Sequence, residues 1–336
     1  MGKCTIFQKN QRFVRHSFWN TPILINEVKK ESKFTSSNFH LRIISTFITM
    51  KKLTLLILFS VFTASCQDYG KLKLIADLPG SINEVSGIEK FPNGDIIWAI
   101  NDSRNPPEVY GYNLERKKIT KTIRLLNAPN IDWEDLTISP NGTLYVGNFG
   151  NNASNRTDLA IYAISQPDSI KKRRIKPLIT TFHFEDQVKF PPKKKDRSFD
   201  VESFIFLNDH FYLFTRNRAK KFDGKTKIYK VPAQEGDFVA KLVGSFKTCK
   251  DQSDCEITSA AIHAPSGKIA LLSYNKVWIF SDYTEDDFTS GTVQKIKLGH
   301  SSQKESICFV SENELYIADE RSHGRGGNLY SLLLSE

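Results

Sequence analysis

Short strand-forming segments recur along the chain with a spacing near 50 residues, and this repeat limits the fold more than any other sequence feature. The segments are rich in β-branched and aromatic residues and alternate with turn sequences such as Pro92-Asn93-Gly94, Pro140-Asn141-Gly142 and Pro265-Ser266-Gly267. Branched and aromatic side chains fit a pleated surface, whereas Pro, Asn and Gly favour tight turns. Beyond residue 70 no segment keeps a helical period for more than two turns. The sequence therefore predicts an all-β fold.

In register, the repeats supply five sets of strands. The first strands cover residues 85–91, 135–139, 203–207, 259–264 and 306–310. The third strands each carry an aromatic residue, and these are 52, 67, 49 and 52 residues apart: Tyr110, Tyr162, Tyr229, Trp278 and Tyr330. A period near 50 with four strands per unit is typical of a β-propeller. We therefore expect a propeller of five blades, each of four antiparallel strands.

The two ends of the repeat region are expected to meet. The last repeat ends at Leu334 without a fourth strand, and segment 71–78 is a strand pattern that has no partner of its own. Segment 71–78 can fill the missing place and close the ring. The gap of 67 residues leaves six blades as an alternative, with the extra blade within residues 171–197. That stretch contains one good strand pattern, which favours five blades.

The net charge of +10 is concentrated ahead of the repeats. Residues 1–49 carry eight basic and two acidic residues, and Lys51 and Lys52 add two positive charges. Residues 66–336 have a net charge of only +2. Because a polyanion-binding domain carries its positive charge on the folded surface, this distribution argues against nucleic acid as a partner.

An export signal begins at Met50. Two lysines are followed by an apolar run over residues 53–64, by small residues and by Cys66. The run is shorter than the roughly 20 apolar residues of a membrane-spanning helix, which is typical of a secretory signal. Thr63-Ala64-Ser65-Cys66 resembles the bacterial lipobox, although Thr stands where Leu is usual. The resemblance implies that Cys66 is acylated, with fatty acids such as palmitate, and becomes the mature N-terminus; ordinary cleavage or an uncleaved anchor is the alternative.

These features divide the chain. Residues 1–49 have no convincing period and precede a complete signal, so we interpret them as a start-site artefact, with a disordered cytoplasmic extension as the alternative. Residues 50–65 form the lipoprotein signal peptide, residues 66–70 a short tether and residues 71–336 a single propeller domain. We expect a monomer in the bacterial cell envelope, an outer-membrane or surface lipoprotein held on the membrane through the lipid on Cys66.

Cysteine usage agrees with export. Cys249 and Cys255 enclose five polar residues, and a disulfide between them can form in an oxidising compartment. The alternative is that both stay reduced. Cys308 lies in an apolar run and is expected to be a buried free thiol.

Charged residues cluster where the predicted first strands begin, on the face that surrounds the channel of a propeller. Four repeats place a glutamate there: Glu84, Glu134, Glu202 and Glu305. Converging carboxylates repel one another, so a bound cation or an interleaved guanidinium must offset their charge. Hard oxygen ligands suit calcium or magnesium, and we take the four glutamates as candidate metal ligands with calcium as the candidate cofactor. The alternative is that each glutamate is a latch that accepts backbone N–H groups of the neighbouring blade.

Three segments carry a family resemblance. Asn101-Asp102-Ser103, Asp132-Trp133-Glu134-Asp135 and Gly147-Asn148-Phe149-Gly150-Asn151-Asn152 with Arg156 resemble the N-D-S, D-W-E-D and G-D-x-G-x-N segments of secreted bacterial propeller proteins, which are similar to the SdiA-regulated and phytase-like esterase propellers. The resemblance covers residues 71–334 and implies the propeller fold. Asn148 stands where Asp is usual, which removes one negative ligand. Together with the loops that follow the second strands, these segments supply the candidate ligand-binding residues: Asn101, Asp102, Asp132, Asn148, Asn151, Arg156, Arg216 and Asp319.

The sequence leaves three functions open. It has no G-x-S-x-G, Walker-type or H-E-x-x-H motif, so no catalytic residue is assigned. The leading hypothesis is an exported, lipid-anchored propeller that binds a small or extended polar ligand at its acidic channel face. The alternatives are a metal-dependent hydrolase of a phosphoester, ester or lactone, and an envelope scaffold for protein interactions.

Overall fold

The computed structural model describes residues 68–334. The extension 1–49, the signal 50–65 and the lipid site Cys66 lie outside the described residues. The described chain is all-β, as predicted, with 21 strands and one short helix, α1 (Gln252–Cys255). Within residues 68–334, no helix is long and apolar enough to cross a membrane.

The strands follow the repeats of the sequence. The first, β1, covers Lys73–Asp77. Group one contains β2 (Val85–Lys90), β3 (Ile96–Asn101), β4 (Glu108–Asn113) and β5 (Lys118–Leu125). Group two contains β6 (Trp133–Ile138), β7 (Thr143–Asn148), β8 (Leu159–Ser165) and, after the two-residue β9 (Arg174–Ile175), β10 (Leu178–Phe184).

The remaining groups have the same order. Group three contains β11 (Asp200–Leu207), β12 (His210–Arg216), β13 (Lys225–Pro232) and β14 (Gly236–Lys247). Group four contains β15 (Ser259–His263), β16 (Lys268–Leu272), β17 (Lys276–Ser281) and β18 (Thr292–Lys297). Group five contains β19 (Lys304–Ser311), β20 (Glu314–Asp319) and β21 (Asn328–Leu333).

Strand β1 is the fourth strand of group five. It pairs antiparallel with β21, from Lys73 opposite Ser331 to Asp77 opposite Asn328, and gives the sheet order β1-β21-β20-β19. Leu72, just before the strand, and Leu78, just after it, are buried. The first described strand therefore completes the last sheet, which is the place expected for segment 71–78.

Two parallel pairings depart from the antiparallel pattern that the repeats predict. Strand β10 pairs parallel with β14, which joins groups two and three into one eight-stranded sheet. Strand β9 pairs parallel with the edge of β5. Between β8 and β11 the described chain adds only β9 and β10, so this stretch holds no further four-stranded group.

The first strands of the groups lie together at the centre of the molecule. Each of β2, β6, β11 and β15 contacts the first strand of the next group, and β19 contacts β2. The approach of β2 to β6 is so close that a Cβ on Gly87 would lie 2.7 Å from the backbone nitrogen of Leu136. The arrangement of the sheets is thus propeller-like.

The apolar core is divided among the interfaces between successive groups. Trp98 and Trp133 belong to the cluster between groups one and two, and Phe214 and Trp278 to the cluster between groups three and four. Burial of apolar surface contributes about 25 cal/mol per Å². These apolar interfaces hold neighbouring groups against each other. They therefore fix where the first strands begin.

Candidate functional site

Four of the five first strands begin with a β-bulge. The pairing register shifts between Val85 and Gly87 in β2, between Trp133 and Asp135 in β6, and at the corresponding places in β11 and β19. The residues inside these bulges are Ser86, Glu134, Glu202 and Glu305. Bulges often redirect a side chain next to a binding site, and here they bring one residue from each of four groups to the same cavity.

Three of the four predicted metal ligands share this bulge position, and Glu84 does not. Glu84 lies two residues ahead of Ser86, is exposed, and accepts a hydrogen bond of 2.5 Å from Asn105 Nδ2. In group four the matching place, just before β15, is taken by Thr258, which donates through its hydroxyl to the carbonyl of Lys304. The repeated glutamates of the sequence are therefore equivalent in only three strands.

The bulge residues open onto a cavity of about 240 Å³, called the acidic cavity below. Five carboxyl groups and two guanidinium groups line it, so full ionisation gives a net charge of −3. Its lining consists of Ser86, Asp102, Glu134, Asn152, Glu202, Arg216, Arg218, Tyr274, Gln303, Glu305 and Glu320.

One side of the acidic cavity is neutralised by arginine. Arg216 binds Glu202 at 3.1 Å and Glu256 at 2.7 Å, and Arg218 binds Glu202 at 2.9 Å and Asp200 at 2.6 Å. Burial raises the pKa of Glu202 to about 7, against the opposing effect of the Arg216 charge. Glu202 therefore orients two guanidinium groups at the cavity wall.

Tyrosine completes this side. The hydroxyl of Tyr274 donates to Glu305 at 3.0 Å, while Arg216 lies 5.8 Å from the centre of the Tyr274 ring. Burial, together with the negative charge of Glu202, raises the pKa of Glu305 well above its usual range. The arginine side thus presents hydrogen-bond donors in fixed positions, which is suited to oxygen atoms of a ligand.

On the other side of the acidic cavity, no described lysine or arginine forms a salt bridge with the carboxylates, although the Arg156 charge lowers the pKa of Asp132 in part. Asp102, Asp132 and Glu134 each place one oxygen within 4.8 Å of the others. Glu134 is 9% exposed, and its carboxylate makes no hydrogen bond or ion pair with the described residues. Burial, followed by the negative charges of Glu202 and Asp132, raises the pKa of Glu134 well above its usual range. A buried carboxylate without a partner is costly when ionised, so this side favours protons or a bound cation.

The carboxyl groups of Asp102 and Asp132 lie close enough to affect each other's protonation, with an oxygen of each within 4.8 Å of the other. Burial and the charge of Asp102 raise the pKa of Asp132 to about 6, and burial also raises the pKa of Asp102. Two carboxyl groups so close hold one proton between them more readily than two negative charges. A divalent cation would take the place of that proton.

Gly150 allows the carboxylates to approach the backbone. A Cβ at this position would lie 1.9 Å from Oε1 of Glu134 and 2.5 Å from Oδ2 of Asp132. Any side chain would therefore displace both carboxyl groups. This close contact explains why residue 150 is a glycine.

Asn148 and Arg156 bind the backbone of the loops that carry Asp132 and Gly150. The Oδ1 atom of Asn148 accepts the N–H groups of Ile131 at 3.2 Å and Asp132 at 3.1 Å. Arg156 donates to the carbonyl of Gly150 at 2.7 Å and to that of Asn148 at 3.2 Å. Both side chains thus hold the Asp132 and Gly150 loops in place and do not line the acidic cavity.

Three further candidate residues have structural partners. Asn151 accepts the N–H groups of Asn155 and Arg156 through its side chain, and Asn101 donates to the carbonyl of Ser81 at 2.8 Å. Asp319 accepts the Asn328 N–H at 2.8 Å and the Tyr330 hydroxyl at 2.9 Å. Of the eight candidate ligand-binding residues, Asp102 and Arg216 therefore line the acidic cavity. Asp132 lies next to the carboxyl groups of Asp102 and Glu134. The other five do not line the cavity.

The latch role predicted for the glutamates falls to Asp135. Its Oδ1 accepts the hydroxyl of Ser259 at 3.0 Å, and its Oδ2 accepts the N–H groups of Ala260 at 3.2 Å and Phe204 at 3.4 Å. These donors belong to β15 and β11, so one fully buried carboxyl group connects three first strands across the centre. Glu134, one residue earlier, points into the cavity instead.

Some cavity residues were not among the predicted ligands. Tyr274 and Glu320 follow second strands, so the sequence placed them on the correct face, and burial raises the pKa of Glu320 to about 7. Ser86 gave no signal, because only the bulge shows that it replaces a glutamate. Its hydroxyl is buried at the cavity wall and has no hydrogen-bond partner among the described residues.

A disulfide bond lies next to Glu256, one of the two carboxylates that bind Arg216. Cys249 and Cys255 are bonded, with their Cα atoms 5.7 Å apart. Cys255 ends α1 and precedes Glu256, the partner of Arg216. Cys308 is a buried free cysteine in β19. The cross-link therefore restrains the segment that positions one carboxylate of the Arg216 pair.

Comparison with known proteins finds similarity to solved structures only. No protein-family model matches the chain, and no curated protein matches it. One similar solved structure is hydrazine synthase of Kuenenia stuttgartiensis, with 12% identity and a TM-score of 0.42 over 75% of this chain and 72% of that chain. Another is PorZ, a bacterial surface component of the type-IX secretion system of Porphyromonas gingivalis, with 11% identity and a TM-score of 0.35 over 75% of this chain and 25% of that chain.

Proposed function

We propose that this protein is a five-bladed β-propeller of the bacterial cell envelope that binds a divalent cation, and with it a polar ligand, in the acidic cavity. The five four-stranded groups and the contacts that connect their first strands in a ring support the blade count. The lipobox-like segment at Cys66 and the resemblance to secreted propeller proteins support export, lipid attachment to the membrane and a monomeric domain.

The observation that carries the proposal is the Asp102, Asp132 and Glu134 cluster. Its three carboxyl oxygens lie within 4.8 Å of one another, and Glu134 is buried without a partner. Repulsion of this kind destabilises the folded state unless protons or cations bind. The unpartnered hydroxyl of Ser86 at the same cavity adds a neutral oxygen donor.

The oxygen atoms of the site determine which cations fit it. Carboxylate and hydroxyl oxygens are hard ligands, so calcium or magnesium fits and zinc fits poorly. Asp102, Asp132 and Glu134 would hold the ion, which would supply positive charge for an anionic or hydroxylated ligand group. Arg216 and Tyr274 line the opposite wall, where the Arg216 guanidinium supplies positive charge to the same space.

The size of the cavity limits the ligand. Pockets for complete drug-sized ligands have volumes of about 300–1,000 Å³, whereas the acidic cavity has about 240 Å³. The cavity therefore fits one polar group of a ligand, and the remainder of a longer ligand would lie outside it. No ligand identity beyond this polar class is proposed.

Metal analysis and thermal unfolding test the proposal. We expect the purified protein to retain calcium or magnesium, and calcium to raise its melting temperature relative to a chelator. Zinc should stabilise it less, since the donors are oxygen atoms. A protein that contains no divalent ion and melts at the same temperature in calcium and in chelator would contradict the cation site.

A metal-dependent hydrolase is the second candidate, and one observation favours it. Asp132 and Glu202 have pKa values of about 6 and about 7, which are values that suit general acid–base catalysis near neutral pH. Phosphoester, ester and lactone substrates assayed with calcium and with chelator would test this activity. Turnover that disappears with chelator and in Asp132→Asn would support a hydrolase, whereas ligand binding without turnover would support binding alone.

A further inference from the structure

A basic groove lies on the outer side of group one, away from the residues of the acidic cavity. It has a volume of about 1040 Å³ and is formed by β5 and by the chain segment that leads into β9. Six basic and two acidic residues line it, although residues 66–336 as a whole carry a net charge of only +2. The basic members are Lys121, Arg124, Lys171, Lys172, Arg173 and Arg174.

Four consecutive basic residues of this groove, 171–174, are exposed and are called the basic strap below. The strap is fixed at both ends, because Ile170 and Ile175 pack against the core cluster between groups one and two. Its backbone is also fixed, since Arg124 donates its N–H to the carbonyl of Arg173 at 2.8 Å. The strap is therefore held against the sheet, unlike a charge run in a free loop.

The charges of the strap lack partners within the described residues. Glu108 is engaged with Arg124 at 3.5 Å, and Asp168 accepts the indole N–H of Trp98 at 3.2 Å. Lys121 donates to the carbonyls of Pro167 and Asp168. Within the groove, Glu108 thus offsets part of the Arg124 charge, Asp168 accepts from Trp98, and no described residue forms a salt bridge with residues 171–174.

The pairing of β9 with β5 brings like charges together. Arg174 is the register partner of Arg124, and like charges directly opposite each other in a sheet are destabilising. An anion bound between the two strands would remove this repulsion. The groove is therefore suited to an anionic partner.

We propose that the basic strap and Arg124 form a docking surface for the anionic headgroups of a lipid membrane. In the chain just after the strap, Lys176 is exposed and Leu178, the first residue of β10, is 58% exposed. Basic residues next to an exposed apolar side chain are typical of surfaces that rest on a membrane, where each cation near the lipid contributes about 1 kcal/mol. A soluble polyanion would use the cations but would gain nothing from Leu178.

Lysine acetylation on vesicles tests the docking surface. The full-length protein is mixed with vesicles of phosphatidylcholine alone or with phosphatidylglycerol, and acetylation at each lysine is followed by mass spectrometry. Attachment through a lipid on Cys66 is common to both vesicle types, whereas the basic residues of 1–52 also favour the anionic vesicles. The variants described below therefore decide which lysines are protected by the groove itself. We expect acetylation of Lys171, Lys172 and Lys176 to slow about fivefold only on the anionic vesicles, and to recover at high salt.

Lys247 and Lys250 are the internal control, because they are exposed lysines that lie outside the groove. The variant Arg173→Glu with Arg174→Glu should abolish the protection of Lys176, whereas Lys194→Glu with Lys195→Glu should retain it. Equal acetylation on both vesicle types would overturn the proposal. So would stronger protection by soluble inorganic polyphosphate than by the anionic vesicles, since that result would assign the groove to a soluble polyanion.

Discussion

Glu134 and Glu202 occupy equivalent bulge positions, but the charges around them differ. Glu202 accepts hydrogen bonds from Arg216 and Arg218, whereas Glu134 is surrounded by the carboxyl groups of Asp102, Asp132 and Glu202. A buried ion pair offsets part of its desolvation, but an isolated buried carboxylate has no such compensation. The same residue type at the same strand position therefore orients two arginines in group three and is left without a cationic partner among the described residues in group two.

Replacement of Glu134 separates these roles. Glu134→Gln should unfold at a higher temperature than the wild type in chelator, because it removes a buried, mutually repelled carboxylate. It should lose the calcium effect, which for calcium at about 100 times its Kd is about 2.7 kcal/mol, or roughly 5–10 °C. Thermal unfolding with calcium and with chelator measures both changes.

Glu89→Gln is the matched control for this variant. Glu89 is also buried, and its pKa is raised to about 8 by burial, but it does not line the acidic cavity. We expect Glu89→Gln to keep the full calcium effect. If both variants, or neither, lost that effect, Glu134 would not be a cation ligand.

Gly150 provides a second test at the residue scale. In Gly150→Ala the new methyl group would overlap the carboxylates of Glu134 and Asp132, and overpacking of this kind costs about 1–3 kcal/mol. The variant should be destabilised and should bind calcium more weakly. Gly80→Ala is the control, because a Cβ at Gly80 meets no atom within 4 Å; equal stability of the two variants in urea unfolding would argue against the close contact.

At the scale of elements, the strands could be predicted and part of their pairing could not. Runs such as residues 306–310 and 314–319 identify strands directly, because apolar alternation and turn residues are local signals. The parallel pairing of β10 with β14 depends on which sheets become neighbours, and no local pattern records it. No local pattern marks the bulges either, so Glu84 was expected at the place that the structure gives to Ser86, two residues later.

The closing strand makes a prediction at this scale. Deletion of residues 68–80 removes β1 and the buried side chains of Leu72 and Leu78, and it exposes the hydrogen-bonding edge of β21. Loss of one buried leucine typically costs about 2–5 kcal/mol, so the truncated chain should lose most of its stability and associate through the new edge. Urea unfolding and size-exclusion chromatography measure these effects.

Two controls show whether the loss of stability comes from the removal of β1. Lys73→Ala, at an exposed position of β1, should be close to wild type in stability. A synthetic peptide of residues 68–80 should restore part of the stability of the truncated chain. A truncated chain as stable and as monomeric as the wild type would show that β1 does not close the last sheet.

At the scale of the whole molecule, the arrangement of the sheets concentrates acidic groups at one place. Each sheet is stabilised mainly by the apolar interfaces with its neighbours, and these fix where the first strands begin. The carboxyl groups of the cavity are therefore held together by packing that does not depend on their charge. This arrangement allows a site that is unfavourable when ionised and empty to persist in a stable fold.

The pH dependence of stability follows from the same arrangement. Asp132 has its pKa raised from 3.8 to about 6, and Glu202 and Glu320 from 4.5 to about 7. Because the folded state binds more protons than the unfolded state between these limits, the contribution of these groups to stability is present below about pH 4 and is lost as the pH rises to about 7. His263 and His300 act in the opposite direction, since burial lowers their pKa values.

Comparison with Glu320→Gln removes the histidine contribution from the measurement. In chelator, the melting temperature of the variant relative to the wild type should increase between about pH 5 and about pH 8, because only the wild type acquires a buried negative charge at this position. With calcium present, the pH dependence of the wild type should become shallower, since the cation binds the ionised carboxylates that the proton has left. Calorimetry at the two pH values, with calcium and with chelator, decides the matter: a difference that stays constant with pH would mean that the acidic cavity is already ionised and compensated in the folded protein.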